Sequence, residues 1–386
     1  MSNIENKVDN KVESGIKDTL DLLSKYVNMP SGPWEKANGD KLMGVVAVDF
    51  GSLGMTVDLF ECEKVGAVIK ACWGNQNKTE SGPLMLMGHM DTVFPQEESK
   101  PFAVEGGKLR GAGVTDMKGG VAIMHAALKA ALPKLDPAKH GIVVLLNCDE
   151  ELGSPESSKW ILQTAEESAA ALSFEPSRPG GAFVIERKGV RSFLLECTGI
   201  RGHSGSRYKT CASAIQELCE RIAKLYTLRD DSRDISISVG VIQGGTAENV
   251  VADHAWAKGE YRSFNPAYQE ETMKKIQAIC DEPGVPGTTT KLTLGAEHPA
   301  LAASEQGRAL YEKARLIGES QGRKLGLERT GGAGDISIAG KAGIPVLDGF
   351  GMLGDGVHTL DEYAQVAAIA LQIELAERMI LEMLKG

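Results

Sequence analysis

No apolar run in the 386 residues approaches the roughly 18 to 20 needed to span a bilayer, so no membrane helix is expected. The opening segment, MSNIENKVDNKVES, is polar and lacks the apolar core of a secretory signal, which makes a cytoplasmic protein the expectation. Positive charge is also short: 42 Lys and Arg stand against 52 Asp and Glu, a formal net charge of -10. That balance repels phosphate backbones and anionic lipid, so neither nucleic acid nor a membrane surface is an expected partner. The seven cysteines, at 62, 72, 148, 197, 211, 219 and 280, include no C-x-x-C pair. A disulfide framework and a thiolate zinc knot are therefore both unexpected. Internal repeats and low-complexity tracts are missing as well.

What is present points to an α/β enzyme. Glycine is in surplus at 45 residues, as expected where tight turns and backbone-lined sites are common. At roughly 100 to 200 residues per domain, the length suits two domains. An amphipathic helix is expected from near Ser14 to before Pro30, carried by Ile16, Leu20, Leu22, Leu23 and Val27. Val45 to Phe50, Ala67 to Cys72, Leu84 to Gly88 and Gly141 to Asn147 are short apolar runs, read as strands covered on both faces. The Ala-rich stretch Lys118 to Leu132 reads as a helix, and this alternation predicts a mainly parallel, mixed sheet.

From about Gly189 the order becomes β-α-β-β-α, with a last strand near Thr289 to Leu294, as in a small antiparallel α+β (ferredoxin-like) unit. The earlier pattern resumes near Glu305, with a helix over Gly307 to Gly318, a strand at Pro345 to Leu347 and a closing helix from Leu360 to Leu384. One domain inserted into another is expected, with 1–188 and 299–386 forming the first and 189–298 the second.

The strand Leu84 to Gly88 delivers His89 and Asp91 at its C-terminal end, where α/β sheets place ligand sites. Residues two apart share a side of an extended chain, so Asp91 can fix the His89 tautomer while the other ring nitrogen binds a metal. A solvated loop pair is the alternative. Asp116 lies in GAGVTDMKGG, whose glycines at 111, 113, 119 and 120 suggest backbone crowded around something that a carboxylate bridges. A helix-capping Asp is the plainer reading. Those glycines form neither a dinucleotide fingerprint nor a Walker loop.

Asp149, Glu150 and Glu151 follow the strand Gly141 to Asn147, and three adjacent carboxylates repel one another unless cations or protons absorb the charge. Glu151 as a cation ligand, with Glu150 free as a base, competes here with a surface acidic turn. Glu175 follows an apolar pair in LSFEP, and His358 lies in GFGMLGDGVHTLDEYA. Together His89, Asp116, Glu151, Glu175 and His358 make a nitrogen and oxygen donor set without thiolate, suited to two Zn²⁺, with Co²⁺ or Mn²⁺ as substitutes. Two cations sharing Asp116 would activate a water, and Glu150 would shuttle its proton. Catalysis by Cys148 is disfavoured because neighbouring carboxylates raise a thiol's pKa. His125 reads as packed within its helix, and His140 and His254 as solvated.

These motifs, His89-Met90-Asp91, Gly113 to Gly120, Asp149-Glu150-Glu151, Glu175 and His358-Thr359, run in order over nearly the whole chain. The set resembles the zinc exopeptidase and deacylase family that includes bacterial glutamate carboxypeptidase, succinyl-diaminopimelate desuccinylase and acetylornithine deacetylase. The resemblance implies that His89 and Glu175 hold one Zn²⁺ and Glu151 and His358 the other, bridged by Asp116. It further implies that Asp91 orients His89, that Glu150 is the general base and that the inserted unit forms a homodimer.

Gly199 to Gly205 (GIRGHSG) resembles a family segment in which His203 would stabilise the oxyanion in the partner subunit's site. Asn249, Arg262 and Gly332, in GGTAENVV, GEYRS and GGAGD, match substrate-contacting positions; a turn Asn and a strand-end surface Arg are the plainer readings of the first two. Glu at 175 resembles the carboxypeptidases and deacylases more than the aminopeptidases, and the run Glu186-Arg187-Lys188-Gly189 is similar to the glutamate carboxypeptidase branch. Two departures are His298-Pro299-Ala300, where some glutamate-releasing members carry Arg, and Gly334, where Ser is common. The implied activity is cleavage of a peptide or N-acyl amide bond next to a free carboxylate, glutamate carboxypeptidase-like, on small peptides or N-acyl amino acids. The same-fold alternative is an N-acyl amino acid deacylase (desuccinylase or deacetylase), and the different-class alternative is a non-catalytic binding or scaffolding protein.

Overall fold

The computed structural model describes residues 16–78, 82–282 and 284–385, so the polar opening segment and the expected helix start at Ser14 lie outside the described residues. The first helix is described as Lys17–Val27. Two compact units divide the chain: Met1–Ile185 with Ala303–Arg329 and Gly334–Gly386, and Glu186–Ala302 with Thr330–Ala333.

The sheet of the first unit has eight strands: β1 (Thr56–Phe60), β2 (Val68–Gly74), β3 (Leu84–His89), β4 (Gly141–Asn147), β5 (Ala170–Ser173), β6 (Phe183–Arg187), β7 (Leu327–Thr330) and β8 (Val346–Asp348). Their order is β1-β2-β4-β3-β5-β8-β6-β7. The central strands β4, β3, β5 and β8 pair in parallel, while β2 on β4, β1 on β2 and β6 on β8 are antiparallel. This is the mainly parallel, mixed sheet that the alternation of elements predicts.

Every residue of β3, β4 and β5 is buried. Leu84, Leu86, Ile142, Val144 and Leu172 join one apolar cluster with Val121, Leu128 and Met379, whereas their neighbours Met85, Met87, Val143 and Leu145 are buried outside it. Alternate side chains point to opposite faces of a sheet, so burial of both sets requires cover on both. Helices Lys118–Ala131 and Ile369–Lys385 pack on each other and on β3; Ser158–Glu166 packs on β4 and on the short helix Ile336–Gly340, which also meets β5.

Val45 to Phe50, expected as a strand, lies instead within the helix Lys36–Gly51. Leu42, Met43, Val46 and Phe50 recur at helical spacing and are buried, while Val48 is 71% exposed. The compact run VVAV hides that period when read without the residues before it. The closing helix begins at Ile369 rather than Leu360. Ahead of it, Tyr363–Gln365 pairs as a strand with Lys108–Arg110, and a 3₁₀ turn over Val366–Ala368 intervenes.

In the second unit, strands Ser236–Gly244, His254–Ser263, Gly189–Thr198 and Thr289–His298 lie side by side in that order, all antiparallel. Helices Ala214–Tyr226 and Pro266–Asp281 pack on them over a core that includes Phe193, Leu195, Leu218 and Ile276. Ser213 and Asn265 cap these helices by accepting the N–H of Gln216 and Ala267. The β-α-β-β-α-β order is ferredoxin-like. Among the described residues no helix is long and apolar enough to cross a membrane.

Candidate metal centre

Five segments of the first unit converge at the C-terminal ends of its parallel strands. β3 ends at His89, 1% exposed, and the loop before helix Lys118–Ala131 presents Asp116. β4 runs into a 3₁₀ turn, Glu150–Leu152, that carries Glu150 and Glu151; Glu175 follows β5. His358 sits with φ +62° near the tip of a hairpin between Gly354–Asp355 and Tyr363–Gln365.

Asp116 divides its two oxygens between two imidazoles. Its Oδ1 lies 3.3 Å from His89 Nε2, and its Oδ2 lies 3.3 Å from His358 Nε2. Each imidazole nitrogen has a further carboxylate, Glu175 Oε1 at 3.8 Å from His89 Nε2 and Glu151 Oε2 at 3.2 Å from His358 Nε2. Ligand atoms of His89, Asp116 and Glu151 all lie within 4.8 Å of one another. The far side of His89 is settled by Asp91: Nδ1 is 3.1 Å from its carbonyl oxygen and 3.3 Å from Oδ1, which leaves Nε2 for the Asp116 side. Asp91 also accepts the N–H groups of Glu150 and Glu151 at 3.3 and 3.0 Å, tying the acidic turn to β3.

The charges respond to this crowding. Burial would lower the His89 pKa, yet Asp116 and Asp91 hold it well above its usual value. His358 is pushed up to about 10 by the hydrogen bonds of Asp116 and then Glu151. Burial would raise the Asp116 carboxyl, but the two imidazoles hold it well below the ordinary range. Glu150 moves the other way, raised well above a normal carboxyl by burial, with the negative charges of Glu175, Asp335 and Glu151 adding to the shift. Glu151 is likewise raised, chiefly by burial.

Sequence reasoning passed over two carboxylates here. Glu362, 4% exposed, accepts the backbone N–H of Gly113, Thr115 and Asp116 at 3.0, 2.8 and 2.9 Å. In sequence it reads as part of a polar turn, and only its burial reveals it. Asp335, the last residue of the GGAGD segment, accepts from Asn147 Nδ2 at 2.5 Å through Oδ2 and from the Ser154 hydroxyl through Oδ1. Asp116 is not a capping residue: Met117 holds the cap position of the following helix and no side-chain cap bond is made. Cys148 is buried, and burial followed by the Asp91 charge pushes its thiol well above the usual value, which suits an inert thiol. A G-x-G-x-x-G string does occur at Gly349 to Gly354, but it leads into the short strand Gly354–Asp355 and not a helix, so it is no dinucleotide fingerprint.

The remaining site candidates belong to the second unit. His203 is exposed and its Nδ1 accepts the N–H of Gly205 and Ser206 at 3.1 and 3.3 Å, so in the neutral ring the proton sits on Nε2. Asn249 is its neighbour, since Ser204 N–H donates to the Asn249 carbonyl at 3.0 Å. Arg262 donates to both carboxylate oxygens of Glu260, at 2.7 and 3.1 Å, and to the Gly331 carbonyl at 2.9 Å. Gly332 follows in the same loop, its carbonyl accepting from Arg187 at 3.2 Å. His125 packs edge-on to Phe50 within the first unit, as its helix position suggests.

Residues 85–382 match peptidase family M20/M25/M40. The chain belongs to this family. Carboxypeptidase G2 of Pseudomonas sp. (strain RS-16) is 28% identical over 374 residues, covering 95% of this chain and 89% of its own. A succinyl-diaminopimelate desuccinylase of Methylobacterium sp. (strain 4-46) is 30% identical over 314 residues, 74% of this chain and 77% of its own. Among solved structures, a tripeptidase from Staphylococcus aureus superposes with a TM-score of 0.76 at 21% identity, covering 95% of this chain and 98% of the other. A di-peptidase from Saccharomyces cerevisiae gives a TM-score of 0.75 at 14% identity with both chains fully covered, so the fold is shared where little sequence is. M20 enzymes are metal-dependent, and this member is a hydrolase of the metallopeptidase and amidohydrolase kind with residues grouped to hold metal.

Proposed function

We propose that this M20 chain is a two-zinc hydrolase that cleaves the amide bond next to a free carboxylate, acting as a glutamate carboxypeptidase-like exopeptidase on small peptides. The observation that carries this reading is the division of Asp116, one oxygen toward His89 and Glu175 and the other toward His358 and Glu151. A largely shielded carboxylate so placed, in a donor set of imidazoles and carboxylates only, fits two divalent cations of the zinc kind. His89 and Glu175 would hold one, Glu151 and His358 the other, and Asp116 both. Bound there, the cations would supply Lewis-acid polarisation of the scissile carbonyl and a lowered pKa for water.

The protein's own groups do the rest. Asp91 fixes the tautomer of His89. Glu150, whose carboxyl burial pushes well above its ordinary value, takes a proton from the attacking water and passes it to the leaving nitrogen. His203, with Nδ1 already engaged, offers Nε2–H to the developing oxyanion of a partner subunit's site. Arg262, Asn249 and Gly332 receive the substrate carboxylate. A homodimer through the second unit (189–298 by sequence) is supported by its edge strand Ser236–Gly244, which exposes Val241 and Ile242, and by the exposed Ile215 and Tyr226 of the helix Ala214–Tyr226.

The name and near-complete coverage of the Pseudomonas carboxypeptidase favour the peptidase reading, and the desuccinylase relative favours the deacylase one. Two measurements test the proposal. Metal analysis of protein purified with zinc is expected to return about two equivalents per chain; none would overturn the reading. A panel of folyl-glutamate, acidic dipeptides, N-acetyl and N-succinyl amino acids is expected to show fastest release of C-terminal glutamate. Preferential turnover of the N-succinyl or N-acetyl compounds would instead establish the deacylase.

A further inference from the structure

The hairpin from Gly354 to Gln365 does two things with one short stretch of chain. His358 stands near its tip, half-exposed on a backbone with φ +62°, and Glu362 starts the return toward its base. The Glu362 side chain does not face solvent, as an acidic hairpin residue ordinarily would. It is 4% exposed, with Oε1 accepting from Thr115 N–H and Asp116 N–H and Oε2 from Gly113 N–H. Thr115 Oγ1 adds a bond to the Tyr363 carbonyl at 2.8 Å, and Tyr363–Gln365 pairs with Lys108–Arg110 just before the loop. The loop that carries Asp116 and the hairpin that carries His358 are therefore joined by the Thr115–Tyr363 bond and by a buried carboxylate whose bonds include one to the backbone of Asp116 itself.

We infer that Glu362 is a positioning residue for the metal centre, which sets Asp116 and His358 in register so that one carboxylate can serve both cations. This rests on the two-cation reading above. The physical argument is one of acceptors. The three N–H groups need acceptors, and the two oxygens of one carboxyl group satisfy all three. Remove it, and the loop must turn those donors elsewhere, carrying the Asp116 oxygens away from the hairpin. Partners that orient metal ligands commonly change metal affinity by about 10- to 100-fold when lost.

The test compares the wild-type chain with Glu362→Gln, Glu362→Ala and a distant core control, Leu384→Ala, whose side chain is buried in the closing helix. An amide oxygen keeps up to two of the acceptor bonds while its NH₂ faces the third donor, so Gln is the milder change. Zinc affinity is read by competition with a chromophoric chelator, and the visible spectrum of the Co²⁺-substituted protein reports ligand geometry without any turnover. Expected is a weakening of zinc binding of about 10- to 100-fold in Glu362→Ala, less in Glu362→Gln, with an altered cobalt spectrum in both. Leu384→Ala is expected to lower the melting temperature of the metal-free protein and leave both metal readouts in place.

Wild-type zinc affinity and spectrum in the Glu362 variants would overturn the inference, and so would an equal loss of affinity in the control. If Glu362→Ala does not fold, the Gln variant alone decides the matter on the same readouts. A wild-type chain that takes up neither zinc nor cobalt would instead bring down the two-cation reading, and this inference with it.

Discussion

Glu150 and Glu151 are neighbours in sequence on one 3₁₀ turn, and they face different chemistry. Glu151 turns to His358 at 3.2 Å, while Glu150 feels Glu175 and Asp335 and keeps a carboxyl raised well above normal by burial. The proposed base and the proposed ligand are thus adjacent residues held by the same Asp91 carboxylate, which accepts both backbone N–H groups. Glu150→Gln is expected to retain the metal content of the wild type and to lose about 10²- to 10⁴-fold in turnover, the usual contribution of a general base. Unchanged turnover at matched metal content would refute the assignment. Sequence exposed the five convergent side chains because each follows an apolar strand or sits in a glycine-dense turn. It did not expose Glu362 or the role of Asp335, because carboxylates that bond backbone N–H groups or an Asn and a Ser leave no motif, only burial.

At the scale of elements, apolar runs flanked by turn residues read correctly where both faces are covered, as in β3 and β4, because continuous burial leaves few alternatives. The same rule misread Val45 to Phe50, where four consecutive apolar residues belong to an amphipathic helix with one exposed face. Strand β1 went unnoticed for a different reason: Asp58 interrupts its apolar Val57, Leu59 and Phe60, and no residue of this edge strand is buried.

The helix Ala214–Tyr226 carries a feature with a measurable consequence. Glu217 and Arg221 are both nearly fully buried and paired at 2.7 Å; Glu217 also accepts from Val285 N–H and the Thr290 hydroxyl, each at 2.7 Å, while Arg221 donates to the carbonyls of Ile279 and Glu282. Burial would raise the Glu217 carboxyl, but Val285, Thr290 and Arg221 together lower it below its ordinary 4.5. A depressed carboxyl contributes stability above its unfolded pKa and loses it as pH falls through the folded value. Glu217→Ala is expected to cost about 3 to 5 kcal/mol at neutral pH, since it strands a buried guanidinium. The gap between variant and wild type, read by denaturant unfolding followed by circular dichroism, is expected to narrow as the pH is taken below 4.5. A gap that stays constant with pH would place the carboxylate outside the pair's energetics.

For the whole molecule, the distribution of groups over the two units sets the decisive question. All five ligand candidates and Glu150 belong to the first unit, whereas His203, Asn249, Arg262 and Gly332 belong to the second, which holds none of the ligand candidates. On the proposed roles, neither unit would suffice alone. If His203 serves the site of a partner subunit, two inactive variants can repair one another: in a mixed dimer of His203→Ala and Glu150→Gln, the His203→Ala chain keeps its own Glu150 and receives His203 from its partner. Random reassortment makes half of the dimers mixed, each with one of two sites restored, so refolding the variants together is expected to recover about one quarter of wild-type activity. Each variant refolded alone is expected to remain inactive, which excludes simple rescue by refolding. The amount recovered should follow the product of the two variants' fractions, peaking at equal mixing, because only mixed dimers count. Dimers that demonstrably exchange subunits yet recover nothing would place His203 at its own chain's site or at none, and a chain that sediments as a monomer would remove the partner altogether.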